Sequence, residues 1–173
     1  MKKKVMVMLV CLVALGLTLR ASAFLGETDG FRGIKWGTEN KPPLSLSPLP
    51  GQKDGESFYE IKGENLQMRK AEVESIKYGF YKNKFFKVVV QYKSASNFKK
   101  LNEMLEEELG SGKQPSAGYG QYVWDWPSVN ISLEYKSKKD EGTITYYYKP
   151  IQKEKLIDKK VEEKIKRMKD HMD

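Results

Sequence analysis

The feature that most constrains this chain is a run of alternating side chains near its end. Val129, Ile131, Leu133 and Tyr135 are separated by Asn130, Ser132 and Glu134. Side chains on a strand point to opposite faces in turn, so a period of two describes a strand with one face buried and the other wet. The pattern recurs in Ile76, Tyr78 and Phe80; in Tyr122, Trp124 and Trp126; and in Ile144, Tyr146 and Tyr148. It recurs again in Phe86, Val88, Val90 and Tyr92, with Lys87, Gln91 and Lys93 on the other phase. Half-buried strands joined by short turns form antiparallel sheet. Lys82-Asn83 is placed as a hairpin turn although it lacks the favoured glycine, and residues 138–142 form a charged turn.

Two segments carry the helical period instead. After Ser96, a good N-cap, Phe98, Leu101, Leu105 and Leu109 recur at spacings of three and four, with Met104 beside them and Gly110 placed to close the helix. Near the end, Ile157, Val161, Ile165, Met168 and Met172 trace one stripe, and Glu162–Lys166 and Glu163–Arg167 are well-oriented pairs four residues apart. The stripe is narrow; it either docks on the sheet or offers itself to a partner. The expectation is an α+β fold: a mainly antiparallel sheet of about five to six strands, packed by one central helix, plus a C-terminal amphipathic helix. Residues 24–150 form a single domain and 151–173 the charged helix. Pro42, Pro43, Pro48 and Pro50 exclude a central strand or helix interior, so residues 42–55 read as a Pro/Gly-rich surface loop.

The first 23 residues belong to neither part. Lys2, Lys3 and Lys4 precede an uncharged, mostly apolar run over 5–19 and a small-x-small site, Ala21-Ser22-Ala23, which is the pattern of a cleaved secretory signal. A run of 15 residues is short of the about 20 that a helical span needs. A lipoprotein reading through Cys11 lacks small residues just before the cysteine. The expectation is a periplasmic or secreted bacterial protein that starts at Phe24 and has no stable membrane span after cleavage.

Cleavage changes the chemistry of what remains. Removing Lys2, Lys3, Lys4 and Arg20 from 31 basic residues leaves 27 against 23 acidic ones, a charge of about +4 instead of +8. The remaining charges are interspersed, so nucleic acid is not an expected partner. Cys11, the only cysteine, goes with the leader, so no disulfide can staple the domain. The only histidine, His171, lies in the charged tail between Asp170 and Asp173. It defines no metal site on its own and leaves the domain without a His-based catalytic triad.

Other motifs are partial. Gly110-Ser111-Gly112-Lys113 lacks the flanking residues of a phosphate loop and follows a helix instead of opening one. Tyr78-Gly79-Phe80-Tyr81 is a poor match to an RNA-stacking strand. Glu106-Glu107-Glu108 diverge around a helix and do not face each other across a cleft. No cofactor-binding pattern is present. The best candidate site is aromatic: Tyr119, Tyr122, Trp124, Trp126 and Tyr147, residue types that stack on sugars or anchor peptides. Packing beneath the first helix is the competing use for the larger aromatic set.

Phe31-Arg32-Gly33-Ile34-Lys35-Trp36-Gly37-Thr38, followed by Ile76-Lys77-Tyr78-Gly79-Phe80, Asn97-Phe98, Trp124 and Ile131-Ser132-Leu133, resembles small exported proteins of Gram-negative bacteria to which no activity is assigned. The resemblance spans about residues 31–148 and departs at the proline-rich stretch and the charged tail. It implies a periplasmic location and assigns no residue a role. The expected function is a non-enzymatic binding or envelope-associated module contacting an envelope protein or glycan. Two alternatives are an envelope-polymer hydrolase using carboxylates and an assembly partner docking through the C-terminal helix.

Overall fold

A computed structural model of the chain describes residues 27–42, 44–51, 55–115 and 120–171. The leader pattern, Cys11, Tyr119, Met172 and Asp173 lie outside the described residues. Among the described residues, eleven strands and two helices follow one another in an α+β arrangement. Strands β3 (Ser47–Pro48), β4 (Glu56–Glu60), β7 (Ser75–Tyr81), β8 (Lys84–Lys93), β9 (Gly120–Asp125), β10 (Val129–Lys136) and β11 (Glu141–Tyr148) form one antiparallel sheet in the order β3-β4-β7-β8-β11-β10-β9. Two hairpins, β1 (Gly30–Phe31) with β2 (Ile34–Lys35) and β5 (Gln67–Met68) with β6 (Ala71–Glu72), stand apart from it. Helix α1 (Ala95–Leu109) links β8 to β9, and helix α2 (Lys149–Lys169) follows β11.

The sheet therefore has seven strands, more than the five to six expected. The proline-rich segment supplies one of them: β3 lies at the sheet edge, pairing Ser47 with Glu60 and Pro48 with Tyr59. An edge strand leaves one side of its backbone unpaired, so a proline is tolerated there. The alternation of β7, β8, β10 and β11 follows from the buried face. Ile76, Tyr78, Phe80, Val88, Val90, Tyr92, Ile131, Leu133, Ile144 and Tyr146 join Leu101, Met104 and Leu105 of α1 in one core. The FRGIKW segment contributes through a tight hairpin, with Arg32 and Gly33 at φ 47° and 81°. That turn sends Phe31 against Tyr78 and Tyr146 (ring centroids 6.0 and 5.0 Å apart) and stacks Trp36 on Phe85 at 4.8 Å. Arg32 pairs with the nearly buried Glu64 at 2.8 Å, and the same carboxylate accepts a hydrogen bond from the Tyr78 hydroxyl. Burial and that carboxylate push the Tyr78 hydroxyl well above its usual range.

Three local readings are corrected. The N-cap of α1 is Ser94, whose hydroxyl accepts the Asn97 N–H; Ser96 lies inside the helix. Phe86 does not share a face with Val88. An irregularity pairs Gly79 with Lys87 and Phe80 with Phe85, and so turns Phe86 to the other side, with Tyr81 and Ile151. Helix α2 begins at Lys149, with Pro150 in its first turn, a position where the missing N–H has no intrahelical partner to lose. The Lys82-Asn83 turn does form, with both residues at positive φ (46° and 64°). Asparagine adopts that region more readily than most residues.

Candidate functional site

The structure divides the aromatic candidates between the two faces of the sheet. Tyr122 and Trp124 lie on the face covered by α1. Tyr122 packs 6.0 Å from Phe98 and 6.3 Å from Trp124. Trp124 is 3% exposed, and its indole N–H donates to the Gly110 carbonyl at 2.7 Å. The Gly-Ser-Gly-Lys segment lies against this indole: a Cβ on Gly112 would sit 2.8 Å from Trp124 Cζ2. Lys113 then exchanges two backbone hydrogen bonds of 2.8 Å with Val123. That loop is therefore a clasp on β9. Trp126 is partly buried against the core, and its carbonyl accepts the Lys149 ammonium. Tyr147 lies on the opposite face.

On that opposite face the register aligns residues into rows across the sheet. One row reads Asp125, Asn130, Tyr147, Lys87, Gly79 and Phe58, each the cross-strand partner of the next. The Lys87 ammonium lies 4.9 Å from the Tyr147 ring centroid and 5.3 Å from that of Phe58. Its side chain is only 15% exposed, and Glu56 approaches to 3.8 Å. Cation–π contacts strengthen as water is excluded. Gly79 makes the arrangement possible, since a Cβ there would stand 3.0 Å from Lys87 Cβ and 3.1 Å from the Phe58 ring. At the far end Asp125 pairs with Lys149 at 2.6 Å and accepts from Asn130 at 2.9 Å. The Lys149 hydrogen bond, with that of Asn130, holds the Asp125 carboxyl below the usual carboxylate range.

Two further rows complete the face. Val123, Ser132, Thr145, Val89 and Lys77 form the middle one, all of them half-buried. Gln121, Glu134, Thr143, Gln91 and Ser75 form a polar one, in which Gln121 donates to Glu134 (3.1 Å) and Ser75 to Gln91 (2.8 Å). Among the described residues only α2 packs on this side, at the corner where Ile151 meets Phe86 and Tyr81 and where Tyr147 and Tyr148 pack against them. The alternation of β8 puts Lys87 on the non-core phase, but no single segment announces the row it joins: Phe58, Asn130 and Asp125 line up with it only once several strands are in register.

A separate cleft of about 830 Å³ lies between the β1–β2 hairpin, Arg69 and the end of α1. Its carboxylates include Glu107 and Glu108, 67% and 44% exposed and both engaged by the Arg69 guanidinium. They are open to solvent and committed to one cation, whereas an acid–base pair of a hydrolase stands in contrasting, partly dry settings. Among the described residues no group of three or more His, Cys, Asp and Glu could hold a metal ion. No helix among them is long and apolar enough to cross a membrane. No family model, curated protein or solved structure matches the chain.

Proposed function

We propose that this protein is a non-enzymatic binding or envelope-associated module of the bacterial periplasm, contacting a protein or glycan through the open face of its sheet. One observation carries the reading: beyond the corner where α2 meets Phe86, Tyr81 and Tyr147, the half-buried rows of this face have, among the described residues, no element laid across them. Tyr147 and Lys87 hold each other in place, so the ring is oriented before any ligand arrives. A fixed aromatic surface beside amide, hydroxyl and carboxylate groups suits a sugar ring or an extended peptide, and it loses little side-chain freedom on binding. Lys77 and Lys87 share the face with Glu134 and Asp125, a mixed charge that gives polyanionic nucleic acid no continuous track. The periplasmic location rests on the leader pattern of residues 1–23.

Affinity capture from envelope extract tests the reading, with the processed protein as bait. The expected result is a retained protein or glycan whose binding falls at least about tenfold in Tyr147→Ala, the loss typical of an aromatic anchor, and also in Thr145→Lys. Trp124→Phe serves as the control, because its indole is buried beneath the other face. Capture that is equal in wild type, Tyr147→Ala and Thr145→Lys would place the contact elsewhere.

A further inference from the structure

Among the described residues, six large hydrophobic side chains are exposed, and five belong to α2: Leu156, Ile157, Val161, Ile165 and Met168. At about 100° per residue, Ile157, Val161, Ile165 and Met168 fall within about 80° of one another. They are 52%, 51%, 43% and 51% exposed. This is the stripe legible in the sequence, and the domain leaves it uncovered. The side of α2 that meets the domain is a neighbouring one, where Ile151 is buried, Lys155 pairs with Glu56 and Asp158 pairs with Lys82.

The charges beside the stripe identify its occupant. Helical geometry places Lys160, Lys164 and Arg167 along one border; on the other lie Asp158, committed to Lys82 and Tyr81, and Lys169. Glu163 and Asp170 fall on the far side of the helix, and Glu162 turns towards Tyr81 and Lys82. One border of the stripe is therefore basic throughout, and on the other the acids are turned to the domain. A second copy of α2 packed antiparallel would bring the basic border against itself, and packed parallel it would bring that border against the side the domain already occupies. The complementary surface is apolar beneath the stripe and anionic along the basic border. An acidic protein groove meets the charge requirement, but grooves take most of their affinity from one large anchor in a pocket. Here four side chains of similar size are spread evenly along the helix, with no aromatic among them. A bilayer needs only apolar area at the level of the headgroups and cations at its rim.

We propose that the outer part of α2 lies on an anionic phospholipid bilayer, with Ile157, Val161, Ile165 and Met168 in the headgroup layer and Lys160, Lys164, Arg167 and Lys169 at the phosphates. The contact is peripheral and reversible. It is independent of the sheet-face reading, sharing with it only the envelope as the place where both surfaces would be used.

Vesicle co-sedimentation tests it, using the processed full-length protein with leader removal verified by intact mass, so that the apolar leader cannot drive binding. Phosphatidylcholine vesicles with and without phosphatidylglycerol serve as probes. Binding is expected only with phosphatidylglycerol and should fall steeply with added salt. Val161→Glu with Ile165→Glu should abolish it. Lys160→Gln with Lys164→Gln should weaken it on the order of tenfold, from the loss of two cations near an anionic surface. Circular dichroism shows whether each variant keeps its helix, and Leu156→Glu, off the stripe, checks that any added acid is not enough. Equal sedimentation with neutral vesicles, or unchanged binding by the double-Glu variant, overturns the proposal. So does an absence of vesicle binding, with or without a stoichiometric acidic protein lost on Val161→Glu/Ile165→Glu. Tyr147→Ala should bind vesicles like wild type, so failure of the two proposals is distinguishable.

Discussion

Helices α1 and α2 both place apolar residues at spacings of three and four, yet α1 buries Leu101, Met104 and Leu105 whereas α2 buries only Ile151. The attachments differ as much as the burial. Helix α1 is fixed by apolar packing, by its Ser94 cap, and by Asn97, whose amide donates to the Lys93 carbonyl and accepts from the Glu72 N–H. Helix α2 has no side-chain cap at Tyr148. It is held largely by Lys82 to Asp158 and Glu154, by Tyr81 to Asp158, and by Lys155 to Glu56. The Lys82 pairs are solvent-exposed and contribute little each; Lys155–Glu56 is the more enclosed of the set. The difference teaches that helical periodicity announces a stripe but does not say what will cover it. That depends on the surface the chain brings opposite.

The sharpest way to break this comparison is to truncate one side chain on each helix. Leu105→Ala should destabilise the domain by about 2–5 kcal/mol, the cost of a core cavity. Ile165→Ala should fall within about 0.5 kcal/mol, as for surface positions. Urea denaturation of both variants reads the difference. Comparable losses would mean that the α2 stripe is buried in the free protein and that the two helices are covered alike. A smaller effect tests the cap. Ser94→Ala should cost about 1 kcal/mol, whereas Ser96→Ala, exposed inside the first turn, should be within about 0.5 kcal/mol of wild type. The reverse order would return the cap to Ser96.

The same contrast explains what the sequence could reveal. Strands β7, β8, β10 and β11 were legible because each has one face against the α1 core, and burial imposes the period of two. Helix α1 was legible for the same reason. β3 was not, because an edge strand of two residues imposes no pattern and its prolines argue against sheet. The side occupied by Phe86 depended on an irregularity opposite Gly79 that neither strand declares alone. The candidate site was legible only in part. Tyr147 could be assigned to the opposite phase from Tyr146 and Tyr148, but its neighbours Lys87 and Phe58 come from strands separated by dozens of residues. Trp124 was grouped with it as an aromatic, and only the position of the Gly110 carbonyl explains why a tryptophan belongs there.

Titration separates the two helices most finely. On the α1 face, burial pushes the Tyr78, Tyr92 and Tyr146 hydroxyls far above their usual range, so they resist ionisation while the domain stays folded. At the α2 corner, burial and the hydrogen bond to Asp158 push Tyr81 up only to about 12. A phenol raised in this way favours the folded form below its unfolded value near 10, and the contribution is lost as pH rises towards 12. The hydrogen bonds from Lys82 and then Tyr81 hold the Asp158 carboxyl below its usual value. A carboxylate lowered in this way contributes above its unfolded value and is lost as pH falls through the folded one. The docking of α2 therefore has a window between acid and alkaline limits, and α2 should loosen at both ends before the α1 core opens. Hydrogen exchange of residues 152–169, compared with 96–109, measures this directly. Asp158→Asn should raise exchange in α2 at neutral pH, leave α1 unchanged and weaken the acid limit, with Glu154 and Glu56 still paired to Lys82 and Lys155. Equal acceleration in both helices would show that α2 is fastened to the core as firmly as α1.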